Sequence, residues 1–356
     1  MAPMFVPGPV DVDGEVLRAQ TRPMLPHRSK EFEAIYARAA DKARQLFLTT
    51  HRVFIMASSG TGLQEAAIRN FVEQKVLTCV NGAFAERWHE VALSNGKQAG
   101  KLEFAWDEPV EPQRVADTFR TGNYEALAIV HNETSTGMQN PVREVAQAVH
   151  TIAPDALILV DAVSSLGGVK IEMDAWGLDM VLTSSQKCLA LPPGLALGAV
   201  SDRAMQKAEK VTDRGWYFDL VRMEKHRLKD STPATPAMSL VYALDMQLDR
   251  ILAEGLERRF ARHAAMAKRV QVWAETHGLS VYAPEGFRSQ TVTTIKNERG
   301  LDVSDLNAYL MKQEMRIANG YGPLKNRTFR IAHMGDTKLE DIDKLLVAME
   351  EYLKNH

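Results

Sequence analysis

The sequence predicts an α/β protein: a large domain with a mostly parallel β-sheet covered by helices on both faces, followed by a smaller C-terminal α+β domain. Three observations carry that expectation. Short apolar runs alternate with longer amphipathic segments through the first 240 residues, the texture of successive strand–helix–strand units. After Pro236 two long helical patterns follow one another with no strand between them. The composition, 45% hydrophobic and 25% charged, is that of an ordinary globular chain, and 356 residues at about 150 per domain suggest roughly two to three domains.

The elements follow in order. Pro7-Gly8-Pro9 cannot enter a helix, so the chain should begin as an extended arm. The strand candidates are Val53–Ala57, Leu77–Val80, Leu127–Val130, Leu157–Val160, Met180–Thr183 and Leu195–Val200. Such uninterrupted apolar runs suit a sheet buried on both faces. Leu63–Val72, Phe84–Asn95 and Arg143–Ile152 carry helical patterns between them. Ser239–Glu254 and Leu256–His277 read as long helices separated by Gly255, a residue suited to ending a helix. Thr291–Ile295 and Thr328–Ala332 are weaker strands, and a last helix opens on Thr337 and Glu340 at capping-box spacing. The boundary falls within residues 236–255, dividing the chain into an arm 1–14, a large domain 15–245 and a small domain 246–356.

Composition also excludes function classes. Forty-three Lys and Arg against 45 Asp and Glu leave a net charge of −2, which argues against a nucleic-acid partner. No apolar run approaches the roughly 20 residues of a membrane span. The first residues lack the basic and apolar regions of a signal peptide, so a cytoplasmic location with no membrane partner is expected. Cys79 and Cys188 are too few for a disulfide framework, and the ten histidines show no metal-ligand spacing, so no metal is expected.

The residues that point to chemistry lie at or near the ends of predicted strands. Ser58-Ser59-Gly60-Thr61-Gly62 links a strand to a helix; small residues there let backbone N–H groups and the helix dipole approach an anion. A tight turn is the plainer explanation. Glu65 stands where a dinucleotide fingerprint needs its third glycine. Asp161 ends a fully apolar run, where an unpaired carboxylate is costly and should find a cation; the plainer role is a helix cap. Lys187, in Ser184-Ser185-Gln186-Lys187, follows another such run; in a dry site its pKa falls and its amine becomes nucleophilic. Arg330 interrupts the apolar run Phe329–Ala332 although a guanidinium stays charged. A phosphate cup, a carboxylate for a ring nitrogen and an imine-forming lysine are together the demands of pyridoxal 5′-phosphate.

In these residues the chain resembles the class V aminotransferases of fold type I, in the branch of the alanine–glyoxylate and serine–pyruvate enzymes. It is also similar to bacterial members described as aspartate aminotransferases. The resemblance spans Pro7-Gly8-Pro9 to Phe329-Arg330-Ile331. It is carried by His131-Asn132-Glu133-Thr134-Ser135-Thr136-Gly137, Asp161-Ala162-Val163-Ser164-Ser165-Leu166-Gly167-Gly168, and Ser185-Gln186-Lys187 with Pro192-Pro193-Gly194.

Carried over position by position, it implies that Lys187 forms the Schiff base and Asp161 partners the pyridine nitrogen. Phe84 would stack on the ring, Val163 would press on the opposite face, and Thr134 would bond the 3′-oxygen. Ser59, Gly60, Thr61 and Gln186 would hold the phosphate. Thr235, or Thr232, would reach the phosphate of a neighbouring subunit, making a homodimer with shared sites. Arg330 would grip the substrate α-carboxylate, with Gly8 offering its backbone N–H to the same group, which places the arm at the active site. The implied reaction moves an amino group from alanine or serine to glyoxylate or pyruvate. Aspartate is the runner-up donor, and lyase or desulfurase chemistry is the alternative on this fold. The residues assign no second arginine to a side-chain carboxylate.

Overall fold

A computed structural model describes residues 4–355, so the first three residues of the expected arm and the last residue of the small domain lie outside the described residues. The chain opens with β1 (Met4–Phe5), α1 (Gly14–Ala19) and α2 (Lys30–Leu46). It continues through β2 (Arg52–Ala57), α3 (Gly60–Phe71), β3 (Lys75–Val80), α4 (Ala83–Ser94), β4 (Gln98–Glu103), α5 (Pro112–Gly122) and β5 (Ala126–Val130). A short ribbon, β6 (Asn132–Glu133) with β7 (Met138–Gln139), precedes α6 (Val142–Ile152), β8 (Leu157–Asp161), β9 (Met180–Ser184) and β10 (Leu195–Val200). Then come α7 (Asp202–Lys210), α8 (Leu220–Arg227), α9 (Met238–Glu254) and α10 (Leu256–Thr276). The chain closes with β11 (Val292–Lys296), α11 (Val303–Met311), β12 (Arg316–Asn319), β13 (Thr328–Ala332) and α12 (Leu339–Asn355).

The larger sheet has seven strands in the order β2-β10-β9-β8-β5-β3-β4. Only β10 runs antiparallel to its neighbours β2 and β9; the remaining pairs are parallel. Side chains of a strand alternate between faces. Val53 and Ile55 therefore enter one core, with α2, α5, α6 and α9, while Phe54 and Met56 enter the other, with α3, α4, α7 and α8. The expected sheet with helices on both faces is thus the one observed. β4 gave no apolar run because it is an edge strand in which no residue is fully buried.

A second sheet, ordered β1-β12-β13-β11, packs with α10, α11 and α12 around Phe5, Val270, Ile295, Phe329 and Ile331. The arm is tied to it by the parallel pairing of Met4 and Phe5 with Arg316 and Ile317. The apolar face of α9, Val241 to Ile251, belongs wholly to the larger sheet's core. Leu256 still packs against that core, whereas Met266 and Val270 of α10 enter the smaller one; Gly255, at the end of the expected boundary range 236–255, separates the two helices. Its φ of +85° suits a residue without Cβ, and it ends one helix where the next begins.

The last helix caps one residue later than its sequence suggested. The Thr337 hydroxyl is taken up by the preceding turn, donating to the Met334 carbonyl at 2.8 Å, and the Lys338 N–H instead donates to the Asp341 carboxylate at 3.1 Å. Among the described residues no helix is long and apolar enough to cross a membrane.

Candidate active site

β2, β8 and β9 run in one direction, so the residues after them gather at one edge of the sheet, where open α/β sheets bind ligands. Ser59 follows β2 and caps α3, its Oγ accepting the Gly62 N–H at 3.3 Å. Gly60 and Thr61 are the first helical residues, and their N–H groups have no acceptor within the helix. A Cβ on Gly60 would collide with Val163 Cγ2, so the cup after β2 closes directly onto the segment after β8.

Asp161 ends β8 and is 5% exposed. Its carboxylate accepts Gln64 Nε2 at 2.6 Å and the Val163 N–H at 2.8 Å, with no cation at ion-pair distance among the described residues. Burial pushes its pKa up to about 6 against those two hydrogen bonds. Lys187 follows β9. Burial and, after it, the nearby Arg330 charge lower its pKa to about 8.

Lys187 Nζ donates to the Pro7 carbonyl, so the arm reaches the lysine. Gly8, at φ +89°, is where it passes: a Cβ there would lie 2.7 Å from Lys187 Cδ. The turn at Pro7 folds the Val6 carbonyl back to accept the Gly8 N–H at 2.7 Å, and the absence of a side chain at Gly8 leaves room for Lys187.

Arg330, in the middle of β13, is 8% exposed. Its Nε donates to the Asn319 carbonyl at 3.0 Å and its Nη1 to the Thr134 carbonyl at 3.2 Å. It meets no carboxylate at ion-pair distance among the described residues, and burial lowers its pKa to about 10. A guanidinium carries five N–H donors, so several remain free. The Thr134 hydroxyl donates to Ser164 Oγ at 2.8 Å, so toward a bound group it would offer its lone pairs.

Phe84 sits in the first turn of α4, where a residue given no role by the sequence supports it. Glu133 is fully buried, and its carboxylate accepts the N–H groups of Phe84 and Ala85 at 3.1 and 3.0 Å and the Ser135 hydroxyl at 2.6 Å. An acid at a helix N-terminus meets unpaired N–H groups and a favourable dipole. Burial still raises its pKa.

Ser59, Gly60, Thr61, Phe84, Thr134, Asp161, Val163, Gln186 and Lys187 line one cavity, joined by Gln64, Arg87 and Asn132. Thr235 does not enter it: it lies with Ile55, Ala57, Trp216 and Tyr217 around a separate hollow, and the Thr232 hydroxyl is occupied by the Ala234 carbonyl at 2.7 Å. Gln64 and Arg87 could have been found by following one helical turn from Gly60 and from Phe84. Tyr321, which packs against Phe84 and Arg330, carried no local signal. The donor set fits pyridoxal 5′-phosphate. It offers amides for a phosphate, a buried carboxylate lacking a cation, a desolvated amine beside it, and Phe84 and Val163 for the ring faces.

The Aminotransferase class-V family profile matches residues 14–345. An uncharacterized aminotransferase of Methanocaldococcus jannaschii is 37% identical, over 99% of this chain and 92% of that protein. The L-aspartate–glyoxylate aminotransferase of Paracoccus denitrificans is 34% identical over 94% of this chain and 86% of its own. Among solved structures, an alanine–glyoxylate aminotransferase of Nostoc sp. superposes with a TM-score of 0.93 at 29% identity, covering 99% of this chain and 95% of that one. The conserved architecture and the match across nearly the whole chain agree: this protein belongs to the class-V aminotransferase family.

Proposed function

We propose that the protein is a pyridoxal 5′-phosphate-dependent aminotransferase that moves the amino group of alanine or serine to glyoxylate or pyruvate. The observation that carries this reading is the opening of the α3 anion cup, the Asp161 carboxylate and the Lys187 amine onto one cavity, with Arg330 bonded to Thr134 in its wall. Bound there, the cofactor supplies an electron sink for the bond broken at the substrate α-carbon. The Lys187 amine, already poised toward its neutral form, takes the α-proton as general base and returns it as general acid. The Asp161 carboxylate would favour a protonated ring nitrogen, and Phe84 and Val163 would hold the ring. The free N–H groups of Arg330 grip the α-carboxylate shared by amino acids and 2-oxo acids.

The assembly proposed is a homodimer in the cytoplasm. That Thr235 stands outside its own chain's cavity is compatible with a role across a two-fold interface.

Aspartate is a second reading, favoured by Arg87, which lines the cavity and whose guanidinium meets no carboxylate at ion-pair distance among the described residues. The name of the Paracoccus relative points the same way. Desulfurase chemistry needs a mobile thiol. Cys79 lies buried in β3, and Cys188 is buried with burial pushing its pKa up to about 11. A panel of amino donors, each reacted once with the holoenzyme and followed by the absorbance of the bound cofactor, tests the proposal. Alanine or serine should react fastest. Aspartate ahead of both would replace the donor assignment, and no conversion by any donor would overturn the activity.

A further inference from the structure

Arg330 reaches from the smaller sheet to Thr134, a residue of the cavity lining, yet its two hydrogen bonds do not fix it. Nε on the Asn319 carbonyl and Nη1 on the Thr134 carbonyl are two in-plane anchors, and a flat group held at two points can still rock about the line joining them. What stops the rocking is a ring. Tyr321, in the loop between β12 and β13, lies 5.5 Å from the guanidinium carbon, within cation–π reach. The Tyr321 ring packs in turn against Phe84, with centroids 5.3 Å apart and planes 31° apart. Its hydroxyl accepts Arg87 Nη2 at 3.3 Å, and the Arg87 guanidinium lies 5.0 Å from the Phe84 ring. Phe84 and Arg87 stand one turn apart on α4, so a single loop residue bridges the helix of the larger sheet to the arginine of the smaller one.

We infer that Tyr321 is a positioning residue: it holds the Arg330 guanidinium at the tilt that receives the substrate α-carboxylate, and it couples that receptor to the helix carrying Phe84. The inference rests on the reading of Arg330 as the α-carboxylate receptor. Buried with no carboxylate partner, Arg330 also gains from the negative face of an aromatic ring, which offsets part of its lost hydration without occupying the N–H groups a substrate needs. A carboxylate in place of Tyr321 would neutralise the receptor; an aliphatic residue would leave it free to tilt. The hydroxyl matters less than the ring, because it fixes the ring's edge through Arg87 and makes no hydrogen bond to Arg330.

The test compares holoenzymes carrying Tyr321→Ala, Tyr321→Leu, Tyr321→Phe, Arg330→Ala and the double change Tyr321→Ala with Arg330→Ala. Each is reacted in a single turnover with alanine and with ethylamine, which is alanine without its carboxylate. Tyr321→Ala and Tyr321→Leu should raise the alanine concentration for half-maximal rate by about 3- to 30-fold, the span of a cation–π contact. The KM for pyruvate should rise alike, with the saturating rate and the ethylamine rate changed by less than about 2-fold. Tyr321→Phe should remain within about 2- to 3-fold of the parent. The double variant should bind alanine no more weakly than Arg330→Ala alone, since Tyr321 acts through that arginine. Equal losses with alanine and ethylamine, full retention by Tyr321→Leu, or additive losses in the double variant would each overturn the inference. If Arg330→Ala itself leaves alanine binding intact, the α-carboxylate reading fails first and takes the inference with it. Should Tyr321→Ala lose its cofactor, the leucine variant keeps the side chain's bulk without the ring face and decides the matter.

Discussion

At the amino ends of the larger sheet's strands, Asp179 accepts Arg203 Nη2 at 2.6 Å, the Ser201 hydroxyl at 2.8 Å and the Ile158 N–H at 2.9 Å, and Glu125 meets Lys207 at 2.7 Å. At the carboxyl ends of the same sheet, Asp161 and Lys187, together with Arg330 from β13, meet no opposite charge at ion-pair distance among the described residues. The protonation equilibria diverge accordingly. Burial alone would raise the Glu125 carboxyl, yet Lys207 and three backbone N–H groups hold it below its ordinary value. Burial wins at Asp161, whose two hydrogen bonds come from uncharged groups. Matched charge within the chain marks an edge that serves folding. Charge left unmatched, at the edge where such sheets bind ligands, marks one that waits for a partner from outside.

The largest effect expected from breaking this contrast is at Lys187. Replacing it by Ala should lower transamination by about 10⁴-fold. The melting temperature of the apoprotein should hold or rise, because a desolvated, unpaired amine is removed. A variant that keeps turnover while melting lower would place Lys187 with the folding charges.

Asp161→Asn should lower turnover by about 10²- to 10³-fold, since an amide cannot supply the charge. Its folded pKa of about 6 lies above the ordinary 3.8, so the folded state binds the extra proton between those values. The carboxyl therefore costs stability progressively as pH rises through about 6. The asparagine apoprotein should accordingly melt at the same temperature or higher at pH 7. Gln64 helps: its Oε1 has no partner and can accept the new amide after the Gln64 amide flips. A lower melting temperature at pH 7 would mean the carboxylate is needed for folding.

Arg203→Ala reverses the pattern. It strands the buried Asp179, so chemical denaturation should show a loss of about 1–2 kcal/mol, reduced by the 40% exposure of the arginine side chain, with kcat/KM within about 3-fold of the parent. A larger loss of activity than of stability would blur the two edges. The smallest effect is one of pH. Capture of pyridoxal 5′-phosphate by the apoprotein should rise with pH to a midpoint near 8 rather than 10.5, because the neutral amine reacts and burial lowers the Lys187 pKa. A midpoint near the ordinary lysine value would show that Lys187 is solvated.

Much of the larger sheet was legible because strands buried on both faces leave no polar positions; β8, fully buried from Leu157 to Asp161, is written as an apolar run with a charge at its end. The same contrast made Lys187 and Arg330 visible, since a charge beside such a run is costly unless it has work to do. β4, half exposed at the sheet edge, offered no such contrast. Glu133 lay inside a motif read for Thr134, and its grip on α4 depends on where the ribbon meets that helix.

The sequence by itself determined the buried strands of the larger sheet and the principal helices around them, which strand ends carry charge, and which residues suit an anion or an imine. These follow from burial and periodicity within a few neighbours along the chain. Only the tertiary structure decided which charges are matched and which are free, because pairing depends on distances between segments far apart in sequence. Asp179 finds Arg203 across the amino edge, while Lys187 reaches only the Pro7 carbonyl. Tyr321 comes to rest between Phe84 and Arg330 because the loop after β12 meets the first turn of α4, a juxtaposition no local pattern encodes.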